Sequence, residues 1–304
     1  MELADLHRHL DGSLRPDTLA DLARGAGVVL PSSIGFYAGM GLEAALAQFA
    51  VTLSVLQTPA AVRRVAAEIC EDAAREEVTT LEIRFAPQLH RGGAARPTDG
   101  IEAIVDAALE GIAGRAGLIL CVLYGEPTSV AERLVDVAGV RPGVVGIDLA
   151  GGPLPSHATR LEDYAAAFRR ARDCGLGRTV HAGEGRPAAE IRVAIEQLYA
   201  QRIGHGTTLL EDPTIVDLVL DRQVTLEACP TSNVHTGVIA RVEDHPLARW
   251  LELGVRACVN PDNTLLSGVD AVEEHRRARA ISGMSDELLA RAVANGHAAR
   301  FRRS

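Results

Sequence analysis

The chain begins with two histidines whose spacing suits a shared role as metal ligands. His7 and His9 follow a short apolar run and are separated by Arg8 alone. Side chains two residues apart on a β-strand point to the same side, so both imidazoles would face one point while Arg8 faces away. This pattern predicts a metal-binding pair. The alternative is two ordinary polar groups at a strand end, because histidine is common outside metal sites as well.

Further ionisable residues follow other apolar runs of the chain. His181 and Glu184 come at the end of one run, His205 at the end of another, and Asp262 after a third. If these runs are parallel strands of one barrel, their carboxyl ends meet at the same face, and the four side chains would lie near the first two histidines. We therefore predict one active centre that is assembled from the ends of several strands.

Three imidazoles and one carboxylate suit a single zinc ion or a similar divalent cation. They leave one position for water, and a bound zinc lowers the pKa of that water to about 7. Such a centre hydrolyses or deaminates its substrate. The predicted ligands, for one zinc ion per chain, are His7, His9, His181 and Asp262.

Glu184 and His205 are candidates for catalytic roles beside the metal. Glu184, three residues after His181, could serve as a general acid or base; the alternative is an acidic residue in the first turn of a helix, where carboxylates are favoured. His205 lies between Gly204 and Gly206, which keep its neighbourhood open. It could hold the water or stabilise developing oxyanion charge, and the alternative is a hydrogen-bonded core histidine.

The elements that would position these residues alternate regularly along the chain. Short β-rich runs, several of them continuously apolar, alternate with longer segments of helical period, as in parallel sheets buried on both faces. Eight such units without a linker predict one α/β domain over residues 1–304, a (β/α)8 TIM barrel. An open doubly wound sheet is the alternative. A helical insertion after the first strand is expected to lie over the barrel mouth, where it could form a lid. The strands are expected near residues 3–7, 79–85, 117–123, 143–149, 178–182, 202–205, 224–229 and 255–260.

Composition restricts the partners of this chain. Its net charge of -9 argues against a nucleic-acid-binding face, so a small molecule is the expected partner. The five cysteines are widely spread without a C-x-x-C pair, which argues against a disulfide scaffold and fits a reducing cytoplasm. We find no signal-peptide pattern and no apolar run of about 18 residues, so no membrane segment is expected.

Six short motifs occur in order from one end of the chain to the other: His7-x-His9-Leu10-Asp11-Gly12-Ser13, Asp148-Leu149-Ala150-Gly151, His181-Ala182-Gly183-Glu184, Gly204-His205-Gly206, Cys229-Pro230-Thr231-Ser232-Asn233 and Asn260-Pro261-Asp262-Asn263. As an ordered set they resemble adenosine deaminase and its close relatives in the amidohydrolase superfamily. The resemblance covers nearly the whole chain. It implies a TIM barrel of the metal-dependent hydrolase type that uses zinc, replaces the 6-amino group of a purine by oxygen and releases ammonia.

The resemblance implies a role for each matching residue. Glu184 would donate a proton to purine N1, His205 would orient the water, and Asp262 would both ligate the metal and accept a proton from the water. Gly151 would contact purine N3 through its backbone, and Asp11 would meet the ribose 5′-hydroxyl. The substrate-binding residues expected in this way are His9, Asp11, Gly151 and Asn263.

Two further groups of residues resemble family positions. Arg84, at the end of the second expected strand, is assigned a structural role. Phe49, Leu53 and Leu56, on the insertion after the first strand, resemble an apolar gate over the purine, and plain helix core is the alternative. We treat the remaining six histidines as surface or structural residues, and only for His235 is a role in the pocket left open. The six are His90, His157, His235, His245, His275 and His297.

Three departures from the family pattern bear on the substrate. Asn263 replaces a second aspartate, and its amide can still donate a hydrogen bond to purine N7. Gly152-Pro153 stands where Asp-Glu is usual, and Tyr124-Gly125 where the third strand often ends in Arg-His. These changes leave the catalytic set intact and leave open which group the purine carries.

Adenosine or 2′-deoxyadenosine is the expected substrate, and 6-aminodeoxyfutalosine, a menaquinone precursor, is the alternative. Asp11 argues against free adenine, because adenine deaminases of this type tend to have glutamate there. A non-catalytic purine-binding barrel is disfavoured, since neither Glu184 nor a metal ligand is lost. Deamination of DNA or RNA is also disfavoured, because the H-x-E and P-C-x-x-C signature of those enzymes is missing.

Overall fold

The eight expected strands are all present. In the computed structural model, which describes residues 2–92 and 100–303, they form one parallel sheet in sequence order. The expected domain of residues 1–304 also contains Met1, residues 93–99 and Ser304, which lie outside the described residues. The strands are β1 Leu3–His9, β2 Val78–Phe85, β3 Gly117–Leu123, β4 Val144–Ala150, β5 Gly177–Ala182, β6 Arg202–His205, β7 Thr225–Ala228 and β8 Arg256–Val259.

The sheet closes on itself between β8 and β1. Asp262, just beyond β8, forms a parallel bridge with Arg8 and accepts a hydrogen bond from the backbone N–H of His9 at 2.9 Å. Two residues earlier on each segment, the side-chain oxygen of Asn260 accepts a hydrogen bond from the backbone N–H of Leu6, also at 2.9 Å. The (β/α)8 TIM barrel is therefore confirmed, and the alternative of an open doubly wound sheet is wrong. Closure matters for function because it brings Asp262 beside the histidines of β1.

Helices occupy the connections between the strands, and three of them lie in the insertion between β1 and β2. Their boundaries follow local signals: Thr58 caps α3 by accepting a hydrogen bond from the N–H of Ala61 at 3.2 Å, and Pro59 occupies the first turn. The helices are α1 Pro16–Ala26, α2 Leu42–Val55, α3 Pro59–Arg75, α4 Ile101–Ile112, α5 Thr128–Gly139, α6 Ala165–Asp173, α7 Ala189–Glu196, α8 Pro213–Asp221, α9 Pro230–His235, α10 Leu247–Glu252, α11 Thr264–Ser267, α12 Ala271–Ala278 and α13 Asp286–Ala299.

The alternation expected for β1 is visible in the contacts of Arg8. Its guanidinium is buried and forms ion pairs of 2.6 Å with Asp5 and with Glu76, away from the two histidines. The apolar core fills the space between the strands and the surrounding helices. In the described part of the chain, no single helix is long and apolar enough to cross a membrane; α2 and α3 meet that test only as a pair bent by 116°.

Candidate active site

Three imidazoles converge at the carboxyl end of the barrel. Nε2 of His7 lies 3.1 Å from Nε2 of His181 and 3.3 Å from Nε2 of His9. His7 and His9 come from β1, where their two-residue spacing places them on the same side, and His181 comes from β5, on the far side of the barrel. Barrel closure thus brings together residues that are more than 170 positions apart.

Buried carboxylates fix the orientation of two of these rings. Nδ1 of His7 donates to Glu227 at 2.6 Å, and Nδ1 of His181 donates to Asp148 at 3.1 Å. Arg84 links the two acids, since it donates to Asp148 and to Glu227 at 2.8 Å each. Because each Nδ1 carries its hydrogen toward a carboxylate, the Nε2 lone pairs of His7 and His181 point at each other.

This donor set fits a divalent cation. Facing lone pairs repel one another unless a cation lies among them, and donor atoms around a tetrahedral zinc are about 3.3 Å apart at ordinary bond lengths. Oδ1 of Asp262 lies 3.5 Å from Nε2 of His9 and 3.8 Å from Nε2 of His7, so it can serve as a fourth ligand. Burial lowers the pKa of His9 to about 3, which keeps its imidazole neutral and able to coordinate a metal. The four predicted ligands are therefore brought together.

Cys229 also lies at this cluster, which the sequence reasoning missed. Its sulfur groups with ligand atoms of His7, His205 and Asp262 within 4.8 Å of one another. Burial, followed by the nearby Asp262 carboxylate, raises the pKa of the Cys229 thiol well above its usual range. His7, His9 and His181 form a separate group within the same distance limit, and three imidazoles with one carboxylate suit zinc, so the three-histidine set with Asp262 is the better match.

Two of the predicted site residues have a strained backbone. His205 has a φ of 65° and Asp262 a φ of 64°, in the left-handed region that residues with a side chain seldom adopt. Such conformations persist where the surrounding structure holds them, and they cluster at functional sites. At Asp262 the constraint is the closing contact between β8 and β1.

Glu184 is a buried carboxyl group beside the imidazole cluster. Its Oε2 lies 3.9 Å from Nε2 of His205 and 3.9 Å from Nη1 of Arg186. Burial raises the pKa of Glu184, while the Arg186 guanidinium opposes that rise. A carboxyl group that retains its proton in a buried site can act as an acid.

His205 is held by a chain of hydrogen bonds that the sequence did not reveal. The backbone N–H of Leu247 donates to Nδ1 of His245 at 3.2 Å, so the proton of that neutral ring is on Nε2, which donates to Oδ1 of Asn233 at 3.2 Å. The other end of the Asn233 amide donates from Nδ2 to Nδ1 of His205 at 3.1 Å. His205 therefore carries its own proton on Nε2, the nitrogen that faces Glu184.

Two adjoining cavities extend from this cluster toward solvent. The inner one, of about 50 Å³, touches Glu184, His205 and Asp262. The outer one, of about 270 Å³, has mostly apolar walls. Both are bordered by His9, Leu46, Phe49 and Gly151, so they form one continuous pocket.

Asp11 lies in the wall of the outer cavity with a second polar residue behind it. Nδ1 of His90 donates to the carbonyl of Leu56 at 3.0 Å, and its Nε2 faces Oδ2 of Asp11 at 3.8 Å. Oδ1 of Asp11 and Nε2 of His90 are buried and have no hydrogen-bond partner among the described residues. An unpartnered carboxylate oxygen beside an unpartnered imidazole nitrogen suits the hydroxyl group of a ligand, which can both donate and accept.

Gly151 and Asn263 border the same pocket. Gly151 has a φ of 77°, which favours glycine, and it directly follows β4. Nδ2 of Asn263 donates to Oδ1 of Asp262 at 2.7 Å, and its Oδ1 packs so closely on Gly12 that a side chain at Gly12 would collide with it. The amide keeps a second N–H for a ligand, because an NH2 group has two hydrogens.

The expected gate residues and the remaining histidines lie partly in the pocket wall and partly in the core. Phe49 and Leu53 line the outer cavity, whereas Leu56 is fully buried in the core. His157 lines the same cavity, His235 contacts the ring of Phe36, and His245 has the structural role described above.

Two departures from the family pattern, Tyr124-Gly125 and Gly152-Pro153, lie near the pocket. The hydroxyl of Tyr124 donates to the carbonyl of His181 at 2.7 Å, and Gly152 leaves room for the guanidinium of Arg186.

Comparison with known proteins assigns the family. The sequence model of adenosine deaminase matches residues 3–303. An adenosine deaminase of Klebsiella pneumoniae is 36% identical, over 97% of this chain and 92% of that protein. This chain belongs to the adenosine deaminase family. The resemblance inferred from the six ordered motifs is thereby confirmed.

Solved structures of deaminase relatives share the fold of this family member. The adenine deaminase of Arthrobacter aurescens superposes with a TM-score of 0.86 at 26% identity, covering 98% of this chain and 93% of its own. A zinc-bound amidohydrolase from Burkholderia ambifaria gives a TM-score of 0.84 at 23% identity, covering 99% and 86%. Family membership makes the chain a hydrolase of carbon–nitrogen bonds that deaminates purines.

Proposed function

We propose that the chain, acting as one deaminase domain, hydrolyses adenosine and 2′-deoxyadenosine to inosine and 2′-deoxyinosine with release of ammonia. The observation that carries this proposal is the inner cavity, where the buried Glu184 carboxyl, His205 and Asp262 face one small space beside three imidazoles. An acid, an oriented imidazole and a carboxylate around one cavity suit addition of water to an aromatic carbon.

One zinc ion is the proposed cofactor, held by His7, His9, His181 and Asp262. When bound, zinc acts as a Lewis acid and makes its water available as a nucleophile near neutral pH. The facing Nε2 atoms and the carboxylates behind two of the rings support this assignment. The Burkholderia neighbour, which shares the fold, contains zinc.

The residues of the chain supply the proton transfers. Glu184 donates a proton to purine N1, which makes C6 of the aromatic ring easier for water to attack. Asp262 accepts a proton from the attacking water, and His205 orients that water through its Nε2–H. The amino group then takes up the proton held by Asp262, the C6–N6 bond breaks and ammonia leaves; the C6 hydroxyl becomes the product carbonyl as its proton passes to Glu184.

The pocket walls would seat a neutral nucleoside. The N–H of Gly151 would reach purine N3 and the free N–H of Asn263 would reach N7. Asp11 and His9 border the part of the outer cavity that would receive the ribose 5′-hydroxyl. A phosphate at that position is disfavoured, because Asp11 would repel it and none of the described residues that line the cavity is a lysine or an arginine.

A second candidate is 6-aminodeoxyfutalosine, whose adenine carries an elaborated ribose. The observation that favours it is the apolar outer part of the pocket, which leaves space beyond Asp11 for a larger group. The walls there are formed by Leu53, Leu89, Leu123 and Leu154.

Ammonia release by the zinc-loaded protein tests both candidates. The panel consists of adenosine, 2′-deoxyadenosine, adenine, N6-methyladenine and 6-aminodeoxyfutalosine. We expect kcat/KM of about 10⁴ M⁻¹s⁻¹ or more for the first two compounds. Turnover of 6-aminodeoxyfutalosine alone would transfer the assignment to menaquinone synthesis, and binding of nucleosides without ammonia release would indicate a non-catalytic barrel.

A further inference from the structure

A second large cavity lies at the opposite end of the barrel from the imidazole cluster. It has a volume of about 580 Å³ and is bordered by the first residues of β5 to β8 and by the chain segment that follows α13. Seven arginines line it and none of its described lining residues is acidic, although the whole chain has a net charge of -9. The seven are Arg172, Arg178, Arg202, Arg222, Arg256, Arg300 and Arg302.

Arg178 is the most informative of these residues. Only 9% of it is exposed, and its guanidinium donates to the backbone carbonyls of Leu176 at 2.6 Å and Tyr199 at 3.0 Å. No carboxylate in the described part of the chain lies within ion-pair distance of it. Burial and the neighbouring Arg172 lower the pKa of Arg178. A buried cation without a counter-charge is costly, so an anion beside it would be favourable.

Four more arginines of this cavity have no acidic partner. Arg222, Arg256, Arg300 and Arg302 are exposed, and within residues 2–92 and 100–303 they form no ion pair or side-chain hydrogen bond. Exposed arginines elsewhere are often paired, as Arg249 is with Glu252 at 3.1 Å. The cavity therefore collects positive charge that the chain itself does not neutralise.

The remaining two arginines are already paired. Arg172 forms an ion pair with Asp173 at 2.9 Å, and Arg202 is held by Glu82 at 2.5 Å and by Glu227 at 2.7 Å. The side chain of Arg202 also stacks on the ring of Phe301, 3.6 Å from its centroid. These two arginines are neutralised by the chain, and the five unpaired arginines provide the net positive charge of the cavity.

We propose that this cavity binds a small molecule with two or more linked phosphate groups. Arginine matches phosphate oxygens through paired N–H donors, and five unpaired guanidinium groups exceed the charge of a single phosphate. The volume lies in the range of small-molecule sites. Three neutral polar residues of the lining, Gln201, Gln223 and Thr225, can take further hydrogen bonds. The shared chemistry is the polyphosphate chain, whether it comes from a nucleotide or from inorganic polyphosphate.

Calorimetric titration of the zinc-loaded full chain at about 150 mM NaCl tests the proposal. The probes are inorganic triphosphate, UTP, inorganic phosphate and a short single-stranded oligonucleotide. UTP is used because it lacks the 6-aminopurine that the proposed active site would bind. We expect saturable binding of triphosphate and UTP, each at least about tenfold tighter than that of phosphate. Equal affinities identify the phosphate chain as the recognised group, and tighter binding of UTP identifies a nucleotide.

Two triple variants with the same change in net charge provide the control. Removal of three cavity arginines in Arg222→Ser/Arg256→Ser/Arg300→Ser should weaken triphosphate binding about 100-fold or more. The control variant Arg63→Ser/Arg249→Ser/Arg276→Ser removes three arginines outside the cavity, whose side chains are 58%, 60% and 69% exposed. It should change the affinity for triphosphate by less than about threefold. All six residues are exposed, so the fold is expected to survive, and far-ultraviolet circular dichroism checks it.

The proposal is overturned if the unmodified chain shows no saturable triphosphate binding, or if phosphate binds as tightly as triphosphate. It is also overturned if both triple variants weaken binding equally, because the effect would then come from net charge alone. Tighter binding of the oligonucleotide than of either polyphosphate would indicate a nucleic-acid surface and would likewise contradict it.

Discussion

Nδ2 of Asn233 lies 3.1 Å from Nδ1 of His205 and donates a hydrogen bond to it. The amide group is held in this orientation, because its Oδ1 accepts a hydrogen bond from Nε2 of His245 at 3.2 Å. Asn233 thereby determines which nitrogen of His205 carries the proton at the inner cavity.

Replacement of this amide by a carboxylate should reverse the tautomer. In Asn233→Asp the side chain can only accept, so Nδ1 of His205 would become the protonated nitrogen and Nε2 would lose its hydrogen. We expect kcat for adenosine to fall about 10²-fold to 10³-fold with a smaller change in KM. Steady-state kinetics measures both, and nitrogen-15 chemical shifts of His205 report the tautomer. An unchanged tautomer together with a large loss of kcat would contradict this account.

The carboxylate behind His7 should control the affinity for zinc. Glu227→Gln weakens the hydrogen bond that holds Nδ1 of His7, and loss of such a partner typically lowers metal affinity about 10-fold to 100-fold. Competition with a chelator measures the dissociation constant. Glu82→Gln is the matched control, because Glu82 is also a buried acid paired with Arg202 but contacts none of the three clustered histidines. Equal weakening in both variants would show that buried charge, and not the contact with His7, is responsible.

Glu184 should be needed for turnover and not for binding. Glu184→Gln keeps the volume and the hydrogen-bonding capacity of the side chain but removes the acidic proton. We expect zinc content and inosine binding to be retained while kcat falls about 10²-fold to 10⁴-fold. Metal analysis, inosine titration and ammonia release measure the three properties. Undiminished turnover would exclude Glu184 as the general acid.

Glu274 should make the stability of the fold depend on pH. It is buried in α12 and accepts a hydrogen bond from the N–H of Thr231 at 2.8 Å, and burial raises its pKa to about 7 from an ordinary 4.5. The folded chain therefore binds the Glu274 proton more tightly than the unfolded chain does. The associated stability is complete below pH about 4.5 and is lost as the pH rises through about 7.

Glu274→Gln should remove this dependence, since glutamine stays neutral. Between pH 5 and pH 8 we expect the variant to gain up to about 3 kcal/mol in unfolding free energy relative to the unmodified chain. Denaturant titrations at both pH values, with the zinc-loaded proteins, measure the difference. Glu273→Gln is the control: Glu273 is partly exposed and its pKa is lowered to about 2 by bonds to Arg276 and Arg277, so no gain between pH 5 and pH 8 is expected. An equal gain in both variants would contradict the assignment.

Much of the fold could be predicted from local sequence pattern. Apolar runs such as Leu118–Val122 predict strands that are buried on both faces, and eight of them alternating with helical segments favour a barrel with an outer ring of helices. The spacing of His7 and His9 similarly places both rings on one side of β1. These inferences depend on residues that are close in sequence.

The supporting residues of the site could not be predicted in the same way. Asp148, Glu227 and Arg84 lie on three different strands, and no local spacing relates them to the histidines that they orient. His90 and His245 were expected to be surface or structural, and the sequence did not show that the first lies behind Asp11 or that the second has a structural role in holding Asn233. Each of these relationships is a contact between residues far apart in the chain.

The sequence by itself determined the approximate positions of the eight strands, the choice of the four candidate metal ligands and the family, because periodicity and ordered motifs are properties of the linear chain. The tertiary structure decided the tautomer of His205, the position of Cys229 beside Asp262 and the collection of seven arginines from residues 172–302 around one cavity. Barrel closure is the physical reason. It converts the ends of separate strands into neighbours, at the carboxyl face for the imidazoles and at the opposite face for the arginines.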